Sequence, residues 1–297
     1  MTRPVPHSVV TPLDPGAARR LRADPHVAVP AQETTLTTNF ARIDVAVASA
    51  CGTHHAVNED AHSALAETAG LFVVADGVGG GAMAELASRE LVARLHASLD
   101  AHPIEPERIA EAVLDADRAI AREIAHYTDA PGAATLVLCA PSDAFATRWI
   151  VAWVGDCRAY RLAHDGRGFE QLTRDDTFGA LDEEPPPGGS RDDPARMVGN
   201  GATTGANVGA VDLPAGDVLA LCSDGVHKHL DNADWQRLLG RPTTLAQRCE
   251  ALVATARANG SSDDATVLLV QRTRLQTTRP RWTERNADPA DDRRSER

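Results

Sequence analysis

The stretch that decides the fold is Leu71–Gly81, with the sequence LFVVADGVGGG. Its first five residues are apolar and predict a buried strand. Asp76 stands where that strand ends, and the glycines after it predict a turn that opens a helix. A carboxylate at the end of a strand, next to backbone that a ligand can approach closely, suits a metal or phosphate site. Its meaning depends on whether other carboxylates arrive at the same place.

The overall composition restricts the classes of function. The chain has 297 residues, a net charge of −12 and 43% hydrophobic residues, enough for a sizeable core in one large or two small domains. The acidic balance argues against nucleic-acid binding, which needs a basic face. An anionic substrate would also be repelled unless cations neutralise the acidic groups. No stretch approaches the roughly 20 apolar residues of a membrane span, so no membrane partner is expected.

The cysteines and the basic residues bear on the compartment and the source. The five cysteines are widely spaced and form no C-x-x-C pair, which favours a reduced cytoplasmic protein over a disulfide framework. Their spacing fits no zinc pattern. Lys228 is the only lysine among 30 basic residues. We interpret the arginine bias as a sign of a GC-rich bacterial genome and assign it no role in mechanism.

Three segments are expected along the chain. Residues 1–38 lack sustained periodicity and predict a flexible leader, and the polar residues 273–297 predict a disordered charged tail. No linker or repeat divides residues 39–272, which predict a single domain. Inside it, amphipathic segments predict helices over 81–99 and 106–127.

The order of the elements predicts the fold class. Two strands and the two helices precede short apolar runs at 135–140, 149–154 and 159–163, which are typical of an antiparallel meander. A polar loop covers 175–200, and a loop of that length in a compact domain is usually functional or mobile. A strand at 218–222, a helix at 243–258 and a final strand at 265–270 close the domain. The predicted class is α+β, with antiparallel sheets covered by helices.

Carboxylates recur beside the strongly apolar strands. A single such Asp most often only forms a turn, but carboxylates that met at one sheet edge would repel one another without counter-ions. Oxygen ligands without His or Cys favour hard cations such as Mg²⁺ or Mn²⁺. Two such ions about 4 Å apart activate a bridging water and clamp a phosphoryl group. The five sites are Glu59-Asp60, Asp76, Asp156, Asp224 and Asp263-Asp264.

Five motifs in this order and spacing resemble those of the metal-dependent serine/threonine protein phosphatases (the PPM, or type 2C, family), and the bacterial branch is the more similar. The resemblance covers about residues 40–271. It implies an αββα sandwich of two antiparallel β-sheets flanked by helix pairs. It also implies hydrolysis of phosphoserine and phosphothreonine in proteins, and a cognate serine/threonine kinase as a partner. The motifs are NEDA at 58–61, VADGVGG at 74–80, GDCR at 155–158, CSDG at 222–225 and DDATV at 263–267.

The resemblance implies two Mg²⁺ or Mn²⁺ ions in the domain. Carried over by position, Asp76 is expected to bridge both ions, and the carbonyl oxygen of Gly77 to bind one of them. Asp224 and Asp263 are expected to hold the other ion.

The remaining motif residues receive supporting roles from the same resemblance. Asp60 is expected to bind a metal or orient its water, and Glu59 to support the ligands without touching the metals. Asp156 lies where bacterial members bind a third, weaker metal. The loop 175–200 falls at the family's flap, which influences substrate access.

Several positions depart from the family pattern. An Arg that binds the substrate phosphate usually lies three residues before the first motif, and this chain has His55 there. A histidine offers fewer donors and is mostly neutral near pH 7, so weaker phosphate binding is expected if His55 takes this role. A loop histidine without function is the alternative. Asp264 replaces the usual Asn, and Asp176 replaces a His in Thr173–Asp176.

Two rival interpretations concern other classes of protein. Residues 77–82, GVGGGA, match the G-x-G-x-x-A dinucleotide fingerprint, but Asp76 would press a carboxylate toward the pyrophosphate. The second rival is a weakly active or inactive phosphatase-like scaffold that binds phosphoproteins, which the substitution at His55 suggests. The complete set of carboxylates argues against it, because a pseudoenzyme is free to lose carboxylates whose repulsion only a metal offsets.

Overall fold

The computed structural model describes residues 30–99, 104–129, 132–166 and 168–275. Those ranges contain eleven strands and five helices. The strands are β1 (Gln32–Thr37), β2 (Ala41–Ala50), β3 (Asp60–His62), β4 (Phe72–Val78), β5 (Ala133–Pro141), β6 (Arg148–Val154), β7 (Arg158–Leu162), β8 (Phe169–Gln171), β9 (Asn207–Asp212), β10 (Val218–Cys222) and β11 (Ala265–Arg274). The helices are α1 (Ala82–Ser98), α2 (Pro106–Tyr127), α3 (Asp224–His227), α4 (Asn232–Leu239) and α5 (Leu245–Ala258).

The strands form two antiparallel sheets. One sheet has six strands in the order β1-β2-β11-β10-β7-β8, and the other has five in the order β3-β4-β5-β6-β9. Strands that are neighbours along the chain often pair, as β4 with β5 and β5 with β6 do. The predicted α+β class with two antiparallel sheets is confirmed.

The strand β4 shows why the sheets stack face to face. Successive side chains of a strand point to opposite faces, and both faces of β4 are buried. Phe72 and Val74 pack between the two sheets, beside Trp149. Val73 and Ala75 pack on the other face, under α1 and α2. Burial on both faces explains the continuous apolar run of this strand.

Helix pairs cover the outer faces of both sheets. α1 and α2 pack on the five-stranded sheet, and α4 and α5 pack on the six-stranded sheet. α2 begins with Pro106 in its first turn, a position where proline costs no hydrogen bond. α5 begins with a capping box between Thr244 and Gln247. No helix of the described residues has the length and apolarity to cross a bilayer.

Strands of the six-stranded sheet extend past the predicted domain bounds of 39 and 272 at both ends. Residues 32–37, assigned to the flexible leader, form β1 on the edge of the six-stranded sheet, where Leu36 pairs with Ile43. β1 is mostly polar and exposed, as edge strands tend to be, so its sequence carries little hydrophobic signal. β11 continues to Arg274, beyond the predicted end at 272. The rest of the leader up to residue 29, and the tail from 276, lie outside the described residues.

Candidate metal centre

The predicted carboxylates converge at one end of the two sheets. The register of β3 and β4 places Asp60 directly opposite Asp76. Asp224 opens α3 just after β10, and Asp263 lies just before β11, which pairs antiparallel with β10. Burial raises the pKa of Asp76 well above its usual value, and the charges of Asp224, Asp60, Asp156 and Asp263 raise it further. These five carboxylates are therefore close enough to repel one another when they are ionised.

Asp60 is a buried carboxylate whose two oxygens differ. Its Oδ2 accepts a hydrogen bond of 2.8 Å from the hydroxyl of Ser223. Its Oδ1 is buried and has no hydrogen-bond partner among the described residues. Burial raises the pKa of Asp60, and the charges of Asp264 and Asp224 add to that effect. An unpartnered buried oxygen among like charges fits a cation, since buried charges otherwise need a partner.

The glycines after Asp76 and Asp224 allow close backbone packing. A Cβ at Gly77 would lie 2.5 Å from the carbonyl oxygen of Ala84 in α1. A Cβ at Gly225 would overlap the carbonyl oxygen of Asp264. Both glycines therefore allow the segments that carry the carboxylates to pack closely. This requirement for glycine is independent of any metal binding by the carbonyl oxygen.

The glycines before α1 form the predicted turn into the helix. Gly80 and Gly81 have φ of 77° and 78°, which side-chain-bearing residues rarely adopt. Glu59 fixes this turn, because its Oε1 accepts a hydrogen bond of 2.5 Å from the backbone N–H of Gly81. The carbonyl oxygen of Glu59 also accepts from the N–H of Gly77 at 3.1 Å. Glu59 thus holds the backbone behind the carboxylates.

Two departures from the family pattern, His55 and Asp264, contact each other. His55 Nδ1 lies 2.9 Å from Asp264 Oδ2. Asp264 is buried and also accepts hydrogen bonds from the backbone N–H groups of Gly52 and Glu59. The hydrogen bond to Asp264 raises the pKa of His55 from its usual value, although burial opposes this. A raised pKa increases the positively charged fraction of His55 at any given pH.

His55, Glu59 and Asp264 also form a compact group of possible ligands. One donor atom from each lies within 4.8 Å of the others. The Asp264 oxygens, however, already accept from Gly52, Glu59 and His55, and Glu59 accepts from Gly81. We therefore interpret the group as a hydrogen-bonded support for the carboxylate cluster.

Asp156 lies beside a cation that the sequence interpretation did not use. Lys228 Nζ lies 2.8 Å from Asp224 Oδ2 and 3.3 Å from Asp156 Oδ2. Burial raises the pKa of Asp156 to about 6, the charge of Asp224 adds to this, and Lys228 opposes it. The composition assigns no role in mechanism to the near absence of lysine, yet the one lysine lies between two of the predicted ligands. That Lys228 is the only lysine in the chain is the one feature of the sequence that singles it out.

The loop 175–200 is irregular but is bonded to the sheets near Asp156. Asp176 Oδ2 accepts hydrogen bonds from the N–H of Gly155 at 3.1 Å and from the amide of Asn207 at 2.8 Å. Arg158 donates to both oxygens of the neighbouring Asp175. The start of the loop therefore contacts residues on both sides of Asp156, Gly155 through its backbone and Arg158 through its side chain. Its role as a flap stays a prediction.

The described residues form two antiparallel sheets with outer helix pairs and a carboxylate cluster at one end of the sheets. This combination is typical of metal-dependent phosphatase domains. The family model described as Stage II sporulation protein E (SpoIIE) matches residues 67–273, more than half of the chain. The chain belongs to this family and thereby to the bacterial PPM phosphatases.

Individual relatives support the same family. The serine/threonine phosphatase stp of Listeria innocua is 27% identical over 221 residues, which cover 69% of this chain and 86% of that protein. The serine/threonine protein phosphatase PstP of Mycobacterium tuberculosis is 32% identical over 229 residues, which cover 73% of this chain. The match spans only 43% of the length of PstP.

Solved structures support the fold. The crystal structure of Mycobacterium tuberculosis PstP has a TM-score of 0.67 and 28% identity, and the match covers 77% of this chain and 98% of that one. The catalytic domain of PstP in complex with two manganese ions has a TM-score of 0.67 and 26% identity, covering 79% and 100%. The expected αββα sandwich is thereby confirmed.

Proposed function

We propose that the protein is a divalent-metal-dependent phosphatase that hydrolyses phosphoserine and phosphothreonine in proteins. The observation that carries the proposal is the carboxylate cluster at the sheet end, in which Asp60 keeps a buried oxygen without a hydrogen bond. The relatives named as serine/threonine phosphatases support the reaction, and the manganese-bound PstP domain supports the metal dependence. The alternative of an inactive phosphoprotein scaffold has no support among these relatives.

Two Mg²⁺ or Mn²⁺ ions fit the donor set, which consists of carboxylate and carbonyl oxygens. Asp76 lies opposite Asp60 in the β3–β4 register, and the charges of Asp224, Asp60, Asp156 and Asp263 all raise its pKa, so we assign it the bridging position. The carbonyl oxygen of Gly77 would bind one ion, and Asp224 and Asp263 the other. When bound, such a pair lowers the pKa of a water and neutralises the phosphoryl oxygens.

The chain itself supplies orientation and a positive charge. Asp60 Oδ1 has no hydrogen-bond donor among the described residues and is placed to accept from the attacking water. His55 is held at Nδ1 by Asp264, which leaves Nε2 to donate to the substrate phosphate. Glu59 positions the backbone of Gly77 and Gly81 and touches neither water nor phosphate in this assignment.

Substrates, partners and location follow from the same proposal. The substrates are phosphorylated proteins, and a serine/threonine kinase that phosphorylates them is the expected partner. All five cysteines are free, and four of them are buried. Free buried thiols support a reducing, cytoplasmic location.

The proposal is tested by Mn²⁺-dependent hydrolysis of para-nitrophenyl phosphate and of a phosphothreonine peptide. Asp76→Ala should lower kcat/KM by about 10³-fold or more, because bound metals contribute several kcal/mol to such a reaction. Asp115→Ala, at an exposed aspartate on α2, is the matched control and should keep full activity. If the wild-type protein binds metal but hydrolyses neither substrate at any pH, the scaffold interpretation replaces this one.

A further inference from the structure

We propose that the ammonium group of Lys228 occupies the place of a third divalent cation, so that the centre binds two metal ions and excludes a third. The inference rests on the proposed metal centre and concerns the number of ions that it holds. Asp156, the residue expected to bind a third metal, would then serve as the partner of Lys228.

The geometry places one ammonium between two carboxylates. Lys228 Nζ lies 2.8 Å from Asp224 Oδ2 and 3.3 Å from Asp156 Oδ2. Both distances lie within the range of direct ion pairs. A third metal at Asp156 would compete for the position that Lys228 takes between Asp156 and Asp224.

The backbone holds Lys228 in this position. Asp224 and Lys228 are four residues apart, at the two ends of the single turn α3, so their side chains lie on one face. The N–H of Lys228 donates to the carbonyl oxygen of Asp224 at 3.0 Å. The lysine is thus part of the turn that carries a predicted ligand.

The buried end of this ion pair separates it from an ordinary surface pair. Exposed ion pairs contribute little to stability, and the Lys228 side chain is 41% exposed. The Asp156 side chain, however, is only 3% exposed. Its Oδ2 is buried and has no hydrogen bond within the described part of the chain. A buried carboxylate oxygen without a hydrogen bond needs a nearby positive charge, and Lys228 supplies one.

The chemistry of lysine also fits this place. Lysine carries a compact, strongly hydrated point charge, whereas arginine carries a planar fork suited to paired hydrogen bonds. The chain has 30 basic residues and uses lysine only here. A group tethered by the backbone is present at millimolar or higher effective concentration. It therefore competes well with free Mg²⁺ or Mn²⁺ for a weak site.

The test is the number of Mn²⁺ ions bound by the metal-free full-length chain, measured by isothermal titration calorimetry. The wild-type protein should bind two ions, and Lys228→Ser should bind three. Adding Asp156→Asn to Lys228→Ser should return the number to two. Arg237→Ser removes an exposed cation from α4 without touching the centre, and this control should bind two ions.

The outcomes separate this inference from the proposed function. Binding of no Mn²⁺ by the wild-type protein overturns the proposed function itself. Three ions in the wild-type protein, or two in Lys228→Ser, overturn only the role of Lys228. In each of those two cases the phosphatase proposal stands.

A measurement on the wild-type protein keeps the inference testable if Lys228→Ser does not fold. Labelling with [¹⁵N]lysine gives a single side-chain resonance, because Lys228 is the only lysine. This resonance should shift over the first two equivalents of Mg²⁺, which bind beside it, and then stay constant to ten equivalents. A further shift beyond two equivalents, or no shift at all, contradicts the inference.

Discussion

The two ends of strand β10 place their carboxylates in different surroundings. Asp217 precedes the strand and is 1% exposed, and Arg161 donates to its Oδ2 through Nε at 2.9 Å and Nη2 at 2.7 Å. The N–H of His164 donates to its Oδ1 at 3.0 Å. Asp224 follows the strand and meets other carboxylates, with Lys228 as its cation.

The difference shows how a structural aspartate can be told from a ligand. At the Asp217 end, the protein supplies the opposite charge and the hydrogen bonds itself. At the Asp224 end, burial opposes ionisation of Asp224 but Lys228 keeps its pKa below the usual value, whereas burial and the neighbouring acids raise the pKa of Asp76 well above it. Such a cluster is complete only when cations from solution join it. A carboxylate whose strongest electrostatic neighbours are other carboxylates, as for Asp76, therefore indicates a ligand better than its position after a strand does.

The largest effect is expected from removing the counter-charge at the Asp217 end. Arg161→Gln should lower the free energy of unfolding by about 3 kcal/mol, because it leaves a buried carboxylate without its partner. Urea denaturation of the metal-loaded protein measures this. Asp217→Asn should cost less, since the Arg161 side chain is 25% exposed and can be solvated. Equal losses of stability in both variants would contradict the charge-pairing role of Arg161. A large fall in kcat/KM for Arg161→Gln would contradict a purely structural role for the Asp217 end.

The opposite sign is expected at the metal end when metal is absent. The pKa of Asp76 is raised on folding, so the ionised group destabilises the folded state above its unfolded pKa of about 4. Asp76→Asn should therefore raise the free energy of unfolding in EDTA at pH 7.5 by about 1 kcal/mol or more, since one pKa unit corresponds to about 1.4 kcal/mol. Urea denaturation in EDTA measures the change.

A second measurement checks that the gain comes from removing repulsion. With saturating Mn²⁺, Asp76→Asn should be less stable than the wild-type protein, because a ligand has been lost. A variant that is destabilised in EDTA as well would show that Asp76 is a structural residue like Asp217.

The sequence predicts the long elements well and the short ones poorly. The bounds of α2, 106–127, and of β10, 218–222, follow from periodicity and continuous apolar runs. The short segments β3 and α3 carry too few residues to show a period. Most of β1 is polar because it lies on a sheet edge.

In the site, motif order predicts which carboxylates meet but not what surrounds them. Asp60 and Asp76 face each other through the β3–β4 register, which a motif does not encode. Lys228 becomes meaningful only when its distance to Asp156 is known, because the two residues are far apart in sequence. The close packing at Gly225 likewise depends on Asp264, which precedes β11 and is separated from Gly225 in sequence by α4 and α5.

Asp264 is intermediate between the two kinds of carboxylate. It lies next to the predicted ligand Asp263, yet its oxygens accept from Gly52, Glu59 and His55, as a structural aspartate would. Two departures from the family pattern thus form one contact between residues 209 positions apart in sequence. We expect that these two substitutions depend on each other.

The smallest effect is expected from exchanging this pair for the residues usual in the family. His55→Arg and Asp264→Asn are each expected to change the KM for a phosphothreonine peptide. The double variant should differ from the sum of the two by about 1 kcal/mol, a typical energy for a hydrogen bond to a charged group that is partly exposed. Steady-state kinetics on the four proteins at saturating Mn²⁺ measures this coupling. An unchanged KM in His55→Arg would remove His55 from phosphate binding, and strict additivity would show that Asp264 supports the backbone alone.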